Sequence, residues 1–307
     1  MEACTLIEQT GNDYASAKYA KALMVSEAKI GKSSYAIATA LGVFPGQKYG
    51  GIVDDPKNLH VITADANALG GIKRFLTETC GAPPEALGFR IYNMQEDVRR
   101  VSAGGDGWDY TLINTLMQVV QTIGERAKGV PLVHVSSLTG FAQALERSLA
   151  GPPGQKKGGG MDQSKWMAFA HHMNELRNTL QQDSWHCIWE AHIHKPPASG
   201  QDGEEKKETL LISGKAGQNF AYNVEQVFRL RRIYGAKLPG TKCDQVYLDT
   251  QPTIDFIANG RSFNETLAPK EPDPTTAFAK LGLAVGQWGN ASGKRLKSGL
   301  AAPSKSQ

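Results

Sequence analysis

An apolar, strand-like run that leads into most of a phosphate-binding loop is the feature that most restricts the fold of this chain. Residues 22–25 are apolar, and the next eight positions match the pattern G-x-x-x-x-G-K-S/T except at the first glycine, where Ser26 stands. In such a loop Gly31 turns backbone N–H groups inward, Lys32 reaches the phosphates and the Ser33 hydroxyl binds Mg²⁺. Residues 35–42 then have the pattern of a helix, whose N-terminus attracts anions.

This strand, loop and helix order predicts a nucleotide-binding site with ATP or ADP and Mg²⁺ as its cofactors. The alternative is that Gly-Lys-Ser-Ser simply begins an ordinary helix. Under the nucleotide-binding hypothesis the expected contacts come from six residues, which are Ser26, Lys29, Gly31, Lys32, Ser33 and Ser34.

Composition and charge indicate a globular chain that has a basic end. The chain has 307 residues, 40% hydrophobic content and a net charge of +4, which is ordinary for a soluble domain. Residues 287–307 contain four basic residues and no acids, so they account for the whole excess. No apolar run approaches a membrane span and the four cysteines are scattered, so we expect a cytoplasmic protein without disulfides.

Apolar strand-like runs alternate with helical patterns, which predicts an α/β fold with a mostly parallel central sheet flanked by helices. Two glycine- and proline-rich segments, 151–160 and 195–207, interrupt this alternation. We expect an N-terminal extension (1–20), a core (21–267) and a flexible basic tail (268–307). The predicted strands are 22–25, 60–64, 89–92, 130–135, 185–194, 209–212 and 226–230, and the predicted helices are 35–42, 68–80, 110–126 and 164–181.

The order of these segments resembles that of a known family. Over residues 21–263 the chain is similar to RecA-like P-loop ATPases, and in particular to the short phage-encoded ATP-binding proteins linked to single-strand annealing. Lys32 and Ser33 match the phosphate loop, residues 63–69 resemble the second strand, and residues 132–139 resemble the Walker B strand. Residues 213–217 and 228–233 resemble the glycine turn and the basic strand that close the family's core.

The resemblance implies a phage DNA-metabolism protein that binds ATP and single-stranded DNA, supports recombination or annealing, and acts in the host cytoplasm. A homo-oligomer is expected, and a single-strand DNA-binding protein is a further candidate partner. The segments 151–160 and 195–208 occupy the places of the family's two DNA-binding loops. The expected DNA contacts are Lys156, Lys157 and Lys165, with Trp166 for base stacking, although Trp166 is alternatively part of the helix core.

The same resemblance predicts weak or absent ATP hydrolysis. The family's catalytic carboxylate falls at Asn67, and a neutral amide cannot act as a general base. The Walker B aspartate falls at Ser136, which leaves a serine as a weak partner for Mg²⁺. Alternatively the strands are displaced by a few residues, and Asp65 or Glu190 carries the missing charge.

The predicted strand 185–194 places polar side chains on one face through its alternation. His186, Glu190, His192 and His194 share that face, and with His171 and His172 they could form a transition-metal site. The resemblance favours a different role, in which Glu190 and His192 sense the γ-phosphate and Glu190 is the catalytic candidate. It also suggests that basic residues near the end of the core (Arg229, Arg231, Arg232 and Lys237) reach a neighbouring subunit's nucleotide, and the alternative is a solvated strand edge. The rival function is a pseudo-ATPase that serves as an interaction or structural module.

Overall fold

A single mixed sheet organises the part of the chain that the computed structural model describes, which is 19–102, 110–150, 161–182, 185–194, 208–213, 216, 219–221, 224–238, 240–250, 267–283 and 285–286. Its strands are β1 (Lys21–Ser26), β2 (Leu59–Thr63), β3 (Arg90–Asn93), β4 (Leu132–Ser136), β5 (His186–His194), β6 (Thr209–Leu210), β7 (Gln226–Lys237), β8 (Asp244–Asp249) and β9 (Lys270–Glu271). The helices are α1 (Lys32–Ala40), α2 (Ala66–Arg74), α3 (Pro84–Leu87), α4 (Gln95–Ser102), α5 (Thr111–Arg126), α6 (Leu138–Ala150), α7 (Gln163–Gln182) and α8 (Pro274–Lys280).

The strand order is β3-β2-β4-β5-β1-β7-β8-β9, with β6 paired to β5. The six strands from β3 to β7 in this order are parallel, whereas β6, β8 and β9 are antiparallel to their neighbours. All residues of β1, β2 and β4 are buried, as expected for parallel strands covered on both faces. The predicted fold class, a RecA-like core with a mostly parallel sheet between helices, is confirmed.

Each face of the sheet carries its own apolar core. On one face, Leu112 of α5, Phe141 of α6 and Phe169 of α7 pack in a common buried cluster. On the other face, Ile37 of α1 and Phe278 of α8 belong to a second buried cluster. Because the strands are parallel, the carboxyl ends of β1, β4 and β5 meet at one edge of the sheet, and α1 begins there.

The boundary of the predicted tail requires correction, since residues after 268 belong to the packed core. Phe278 of α8 is fully buried, and the helix begins where the Asp273 side chain accepts a hydrogen bond from Thr276 N. Gly286 N donates to Ile52 O at 3.2 Å. The packed chain therefore extends at least to residue 286, while residues 1–18 and 287–307 lie outside the described part.

Most predicted elements have counterparts, with small shifts at their ends. The predicted helix 68–80 is α2 followed by a π-helical turn, Phe75–Thr79. Helices α3, α4, α6 and α8 and strands β8 and β9 were not predicted. Among the described helices, none combines the length and apolar character that crossing a membrane would require.

Two buried histidines predict that acid destabilises this fold. Burial and nearby Lys21 lower the pKa of His186 to about 4, and burial with Arg90 lowers that of His60 to about 4. The unfolded chain titrates near 6.5, so it binds more protons than the folded chain between pH 6.5 and 4, and stability falls as pH falls through this window. Each histidine should cost about 2 kcal/mol between pH 7.5 and 5.

Urea unfolding at pH 7.5 and pH 5 measures this effect. The variant His186→Gln should lose about 2 kcal/mol less than the wild type on acidification, even if it is less stable at pH 7.5. An equal loss in the two proteins would show that His186 is not held neutral by the fold.

Candidate nucleotide-binding site

The loop between β1 and α1 has a conformation that its glycine makes possible. Gly31 stands at the N-cap of α1 with φ 89° and ψ 28°, a left-handed conformation that glycine adopts at little cost. Lys29, two residues earlier, also has a positive φ of 65°. Tyr35 N donates to Gly31 O at 2.9 Å, so the helix continues directly from the loop and its N-terminus faces the loop.

The Lys32 side chain is turned back into the loop. Its ammonium group donates to Ser26 Oγ at 3.0 Å and to Glu27 O at 3.1 Å, and it lies 3.1 Å from His192 Nδ1. Burial lowers the pKa of Lys32 to about 8, although the charge of Glu190 opposes this. A buried ammonium group that has lost water, and whose partners here are neutral groups, is well suited to bind an anion.

Ser33 lies between the carboxyl ends of two strands. Its hydroxyl donates to Glu190 Oε2 at 2.8 Å and lies 3.0 Å from Ser136 Oγ. Ser136 is the last residue of β4, and Glu190 lies in the middle of β5, whose neighbours in the sheet are β4 and β1. The predicted pair Ser33 and Ser136 therefore does come together, and Glu190 joins it.

Glu190 also contacts His134, a residue that the sequence analysis did not identify. His134 Nε2 lies 2.5 Å from Glu190 Oε1, and both side chains are almost fully buried. Burial alone would raise the pKa of Glu190, but His134, Lys32 and Ser33 together hold it below its ordinary value. Glu190 is thus an ionised carboxylate at neutral pH. The alternation of β4, which places His134 and Ser136 on one face, was the available signal.

These residues line a cleft of about 550 Å³ at the edge of the sheet. A second cleft of about 400 Å³ shares Lys29, Gly31 and Ser34 with it. The second cleft has both aromatic and cationic walls, which include Tyr35, Phe44, Arg74, Phe75 and Arg232. The two adjoining volumes offer a polar part beside the helix N-terminus and a part with aromatic rings, a division that fits a nucleotide.

The alternative carboxylates of the sequence analysis also lie at this edge. Asp65 and Glu190 both line the first cleft, and Asp65 is exposed. Asn67 is the second residue of α2, and its side chain lies outside the described part. Burial and the Lys32 charge lower the pKa of His192, which leaves its ring neutral and able to accept from Lys32.

The histidines of β5 do not converge on one metal ion. His186 begins the strand and His194 ends it, so they are separated by roughly 26 Å at about 3.3 Å per residue. His186 Nδ1 instead accepts a hydrogen bond from Ala20 N at 3.0 Å. His171 and His172 lie on α7, where they form a cluster with Glu175. The metal site predicted as an alternative on β5 is therefore not assembled.

Two expected DNA contacts are directed toward the protein. Lys165 is 9% exposed and its ammonium group donates to Ala150 O at 3.3 Å. Trp166 packs edge-on against Phe169, with ring centroids 5.8 Å apart, which corresponds to the helix-core alternative. Lys156 and Lys157 lie outside the described residues.

The basic residues near the end of the core all have acidic partners within the chain. Arg229 forms a buried ion pair with Glu208 at 2.6 Å, and Arg231 pairs with Asp249. Arg232 and Lys237 both pair with Asp244. Reaching a neighbouring subunit's nucleotide would require these pairs to open, so the arrangement corresponds better to the strand-edge alternative.

The oxygen atoms around Ser33 fit a hard divalent cation such as Mg²⁺. Two hydroxyls and one carboxylate lie within hydrogen-bond distance of one another, and Glu190 Oε1 has no hydrogen bond of good geometry among the described residues. Oxygen ligands with one carboxylate are what Mg²⁺ uses when phosphate oxygens complete its shell. Ser33, Ser136 and Glu190 are the residues that would hold it.

No protein-family model matches this chain, and no curated protein matches it. Among solved structures it is similar to the RadB recombinase, with 14% identity over 75% of this chain and 87% of that chain and a TM-score of 0.40. Another solved ATPase domain has 12% identity over 80% and 81% of the two chains, with a TM-score of 0.39. A DnaB-like replicative helicase, described with its interactions with primase, has 11% identity over 79% and 54%, with a TM-score of 0.40. The fold class is established by this chain's own strand order and by the position of its phosphate loop.

Proposed function

We propose that this protein binds ATP or ADP together with Mg²⁺, binds single-stranded DNA, and supports phage recombination or strand annealing in the host cytoplasm with weak or absent ATP hydrolysis. It works as a homo-oligomer in this proposal. The observation that carries the nucleotide part is the arrangement of Gly31, Lys32 and Ser33 at the N-terminus of α1, facing a cleft of about 550 Å³.

The chemistry of this arrangement suits a polyphosphate. Backbone N–H groups at a helix N-terminus and a partly desolvated ammonium group attract negative charge. Lys32 would exchange its present acceptors, Ser26 Oγ and Glu27 O, for phosphate oxygens, which are stronger acceptors because they are charged. Mg²⁺, when bound, would neutralise part of the phosphate charge and orient the phosphate oxygens.

Equilibrium titration with ATP and with ADP, in the presence of Mg²⁺, tests the nucleotide part. Saturable binding at or below millimolar nucleotide supports it. If the wild type shows no binding up to millimolar nucleotide, the loop has no nucleotide role.

The DNA part is supported by charge in two segments outside the described residues. Lys156 and Lys157 lie in the glycine-rich segment 151–160, and the segment 287–307 has four basic residues and no acids. Single-stranded DNA binding without sequence preference uses such cations to follow the phosphate backbone.

Reversing the charge of the 151–160 segment is expected to weaken single-stranded DNA binding alike for all sequences. In Lys156→Glu/Lys157→Glu, the slope of log affinity against log salt should decrease by about 1.4, because each lost phosphate contact on a single strand removes about 0.7. Deleting residues 287–307 should weaken binding more modestly. Fluorescence anisotropy with labelled oligonucleotides over a salt series measures both.

A matched control reverses two charges in the mixed-sign second segment. Lys206→Glu/Lys207→Glu makes the same change in net charge, yet it should alter the salt slope less, because acidic neighbours already reduce the potential there. Equal effects of the two double variants would mean that only net charge matters and that 151–160 is not a DNA site.

One observation favours the second candidate, a pseudo-ATPase that serves as an interaction or structural module. Lys32 and Ser33 already have partners within the protein, namely Ser26, Glu27, His192 and Glu190. A loop satisfied in this way can stabilise the edge of the sheet without a ligand. Absence of both nucleotide and DNA binding in the wild type would favour this candidate.

A further inference from the structure

Glu190 is an acidic side chain in a place where burial makes a charge costly. It is 1% exposed, and an unpaired carboxylate at such a position would be strongly unfavourable. Its two oxygens are used differently. Oε2 accepts from Ser33 at 2.8 Å and lies 3.4 Å from Ser136 Oγ, whereas Oε1 lies against His134. The carboxylate thus faces the cleft with one oxygen and the sheet interior with the other.

His134 fixes this orientation from the neighbouring strand. It is 1% exposed, and Nε2 lies 2.5 Å from Glu190 Oε1. His134 Nδ1 has no hydrogen-bond partner among the described residues, so the contact with Glu190 is the polar interaction that accounts for this ring being where it is. A histidine that holds a carboxylate in this way limits its rotation and directs the second oxygen toward Ser33.

The position of Glu190 compensates for what β4 lacks. A carboxylate at the end of β4 would stand at Ser136, beside the Ser33 hydroxyl. Ser136 supplies only a hydroxyl there, at 3.0 Å from Ser33. Glu190, reaching from β5, brings a carboxylate oxygen to within 2.8 Å of the same hydroxyl. The neighbouring strand therefore provides the negative charge at the same point of the cleft.

We propose that Glu190 of β5 is the carboxylate that holds the nucleotide-associated divalent cation, in place of a carboxylate at position 136 of β4, and that His134 is the residue that positions it. The inference rests on the proposed nucleotide binding. It assigns the cation site to Ser33, Ser136 and Glu190, with His134 acting through Glu190, and it takes Mg²⁺ or Mn²⁺ with nucleotide phosphate.

Metal affinity, measured separately from nucleotide affinity, tests the proposal. Electron paramagnetic resonance of Mn²⁺ in the presence of ADP reports bound metal directly, and ADP titration in EDTA reports metal-free nucleotide binding. Glu190→Gln should weaken Mn²⁺ binding about 10- to 100-fold, and His134→Asn about tenfold, as losses of metal-orienting groups typically do. ADP affinity in EDTA should stay close to that of the wild type in both variants.

Two further variants separate a metal role from a structural one. Glu271→Gln removes another buried carboxylate, which pairs with Lys280 and does not line the cleft, and it should leave Mn²⁺ affinity unchanged. Ser136→Asp combined with Glu190→Gln returns the carboxylate to β4 and should restore much of the Mn²⁺ affinity. A carboxylate that only stabilised the fold would not be replaced in this way.

Wild-type Mn²⁺ affinity in Glu190→Gln would overturn the proposal while leaving nucleotide binding intact. The same variant decides the question if His134→Asn does not fold, and circular dichroism establishes which variants are folded. Failure of the wild type to bind ADP with or without metal is a separate outcome, which would remove the proposed function and this inference with it.

Discussion

Replacing Lys32 with alanine is expected to abolish ATP and ADP binding. Lys32 is the cation of the phosphate loop, and its ammonium group is already held at the N-terminus of α1. Charge-assisted hydrogen bonds are worth roughly 1.5–3 kcal/mol each, and Lys32 would make two or more to phosphate, so the affinity should fall at least about 100-fold. Isothermal titration of the wild type and the variant with each nucleotide measures this loss.

The loss should not come from unfolding. Burial lowers the pKa of Lys32, which means that the folded protein disfavours the charged side chain at neutral pH and that its removal relieves this cost. We therefore expect a thermal unfolding midpoint close to that of the wild type. The control Lys48→Ala removes one exposed positive charge outside the clefts and should bind as the wild type does. Unchanged nucleotide binding in Lys32→Ala would show that the loop is not the site.

The fold could be predicted where the sequence pattern is local and strong. β1, β2, β4 and β5 are apolar runs buried on both faces, and α1 follows a loop motif whose glycine takes a left-handed conformation. Strand β7 was foreseen only as one of two arrangements, because an apolar run does not show which strand it pairs with. Its parallel pairing with β1 depends on the whole sheet.

The missed elements have specific physical causes. Helix α6 begins almost directly after β4, with Gly140 in its first turn, and glycine is a poor helix former. Helix α8 has only seven residues with Pro274 at its start, and it depends on an aspartate cap and on burial of Phe278 against the core. Short helices of this kind are stabilised by tertiary packing, which a sequence window does not contain.

The candidate site was predictable as a loop but not as a constellation. Lys32, Ser33 and Ser136 could be identified from their motifs, and Glu190 was present only as an alternative. The contact between Glu190 and His134 requires that β5 lies next to β4 in a register where His134 pairs with Ile188. A one-residue shift would turn Glu190 to the opposite face. Register is a property of the assembled sheet, and for this reason His134 was missed.

ATP turnover by the wild type is expected to be near background, with or without single-stranded DNA. Position 67, where the resemblance expects the catalytic carboxylate, has an amide that cannot take a proton from water. Glu190 is engaged by His134 and Ser33, which fits cation binding better than water activation. Losing one group that stabilises or orients a transition state costs about 10²–10³ in rate. Phosphate release under single-turnover conditions, with protein in excess over ATP, is the measurement.

The control is Lys32→Ala, which should show the same background rate as the wild type if the wild type binds ATP without hydrolysing it. Hydrolysis that is fast and lost in Lys32→Ala would contradict the prediction and would mean that another carboxylate of the cleft activates water. Asp65→Asn and Glu190→Gln then distinguish the two that line it. A general base should reduce the single-turnover rate at saturating Mg²⁺, whereas a cation-holding residue should regain much of its rate when Mg²⁺ is raised, because extra cation compensates only for weakened cation binding.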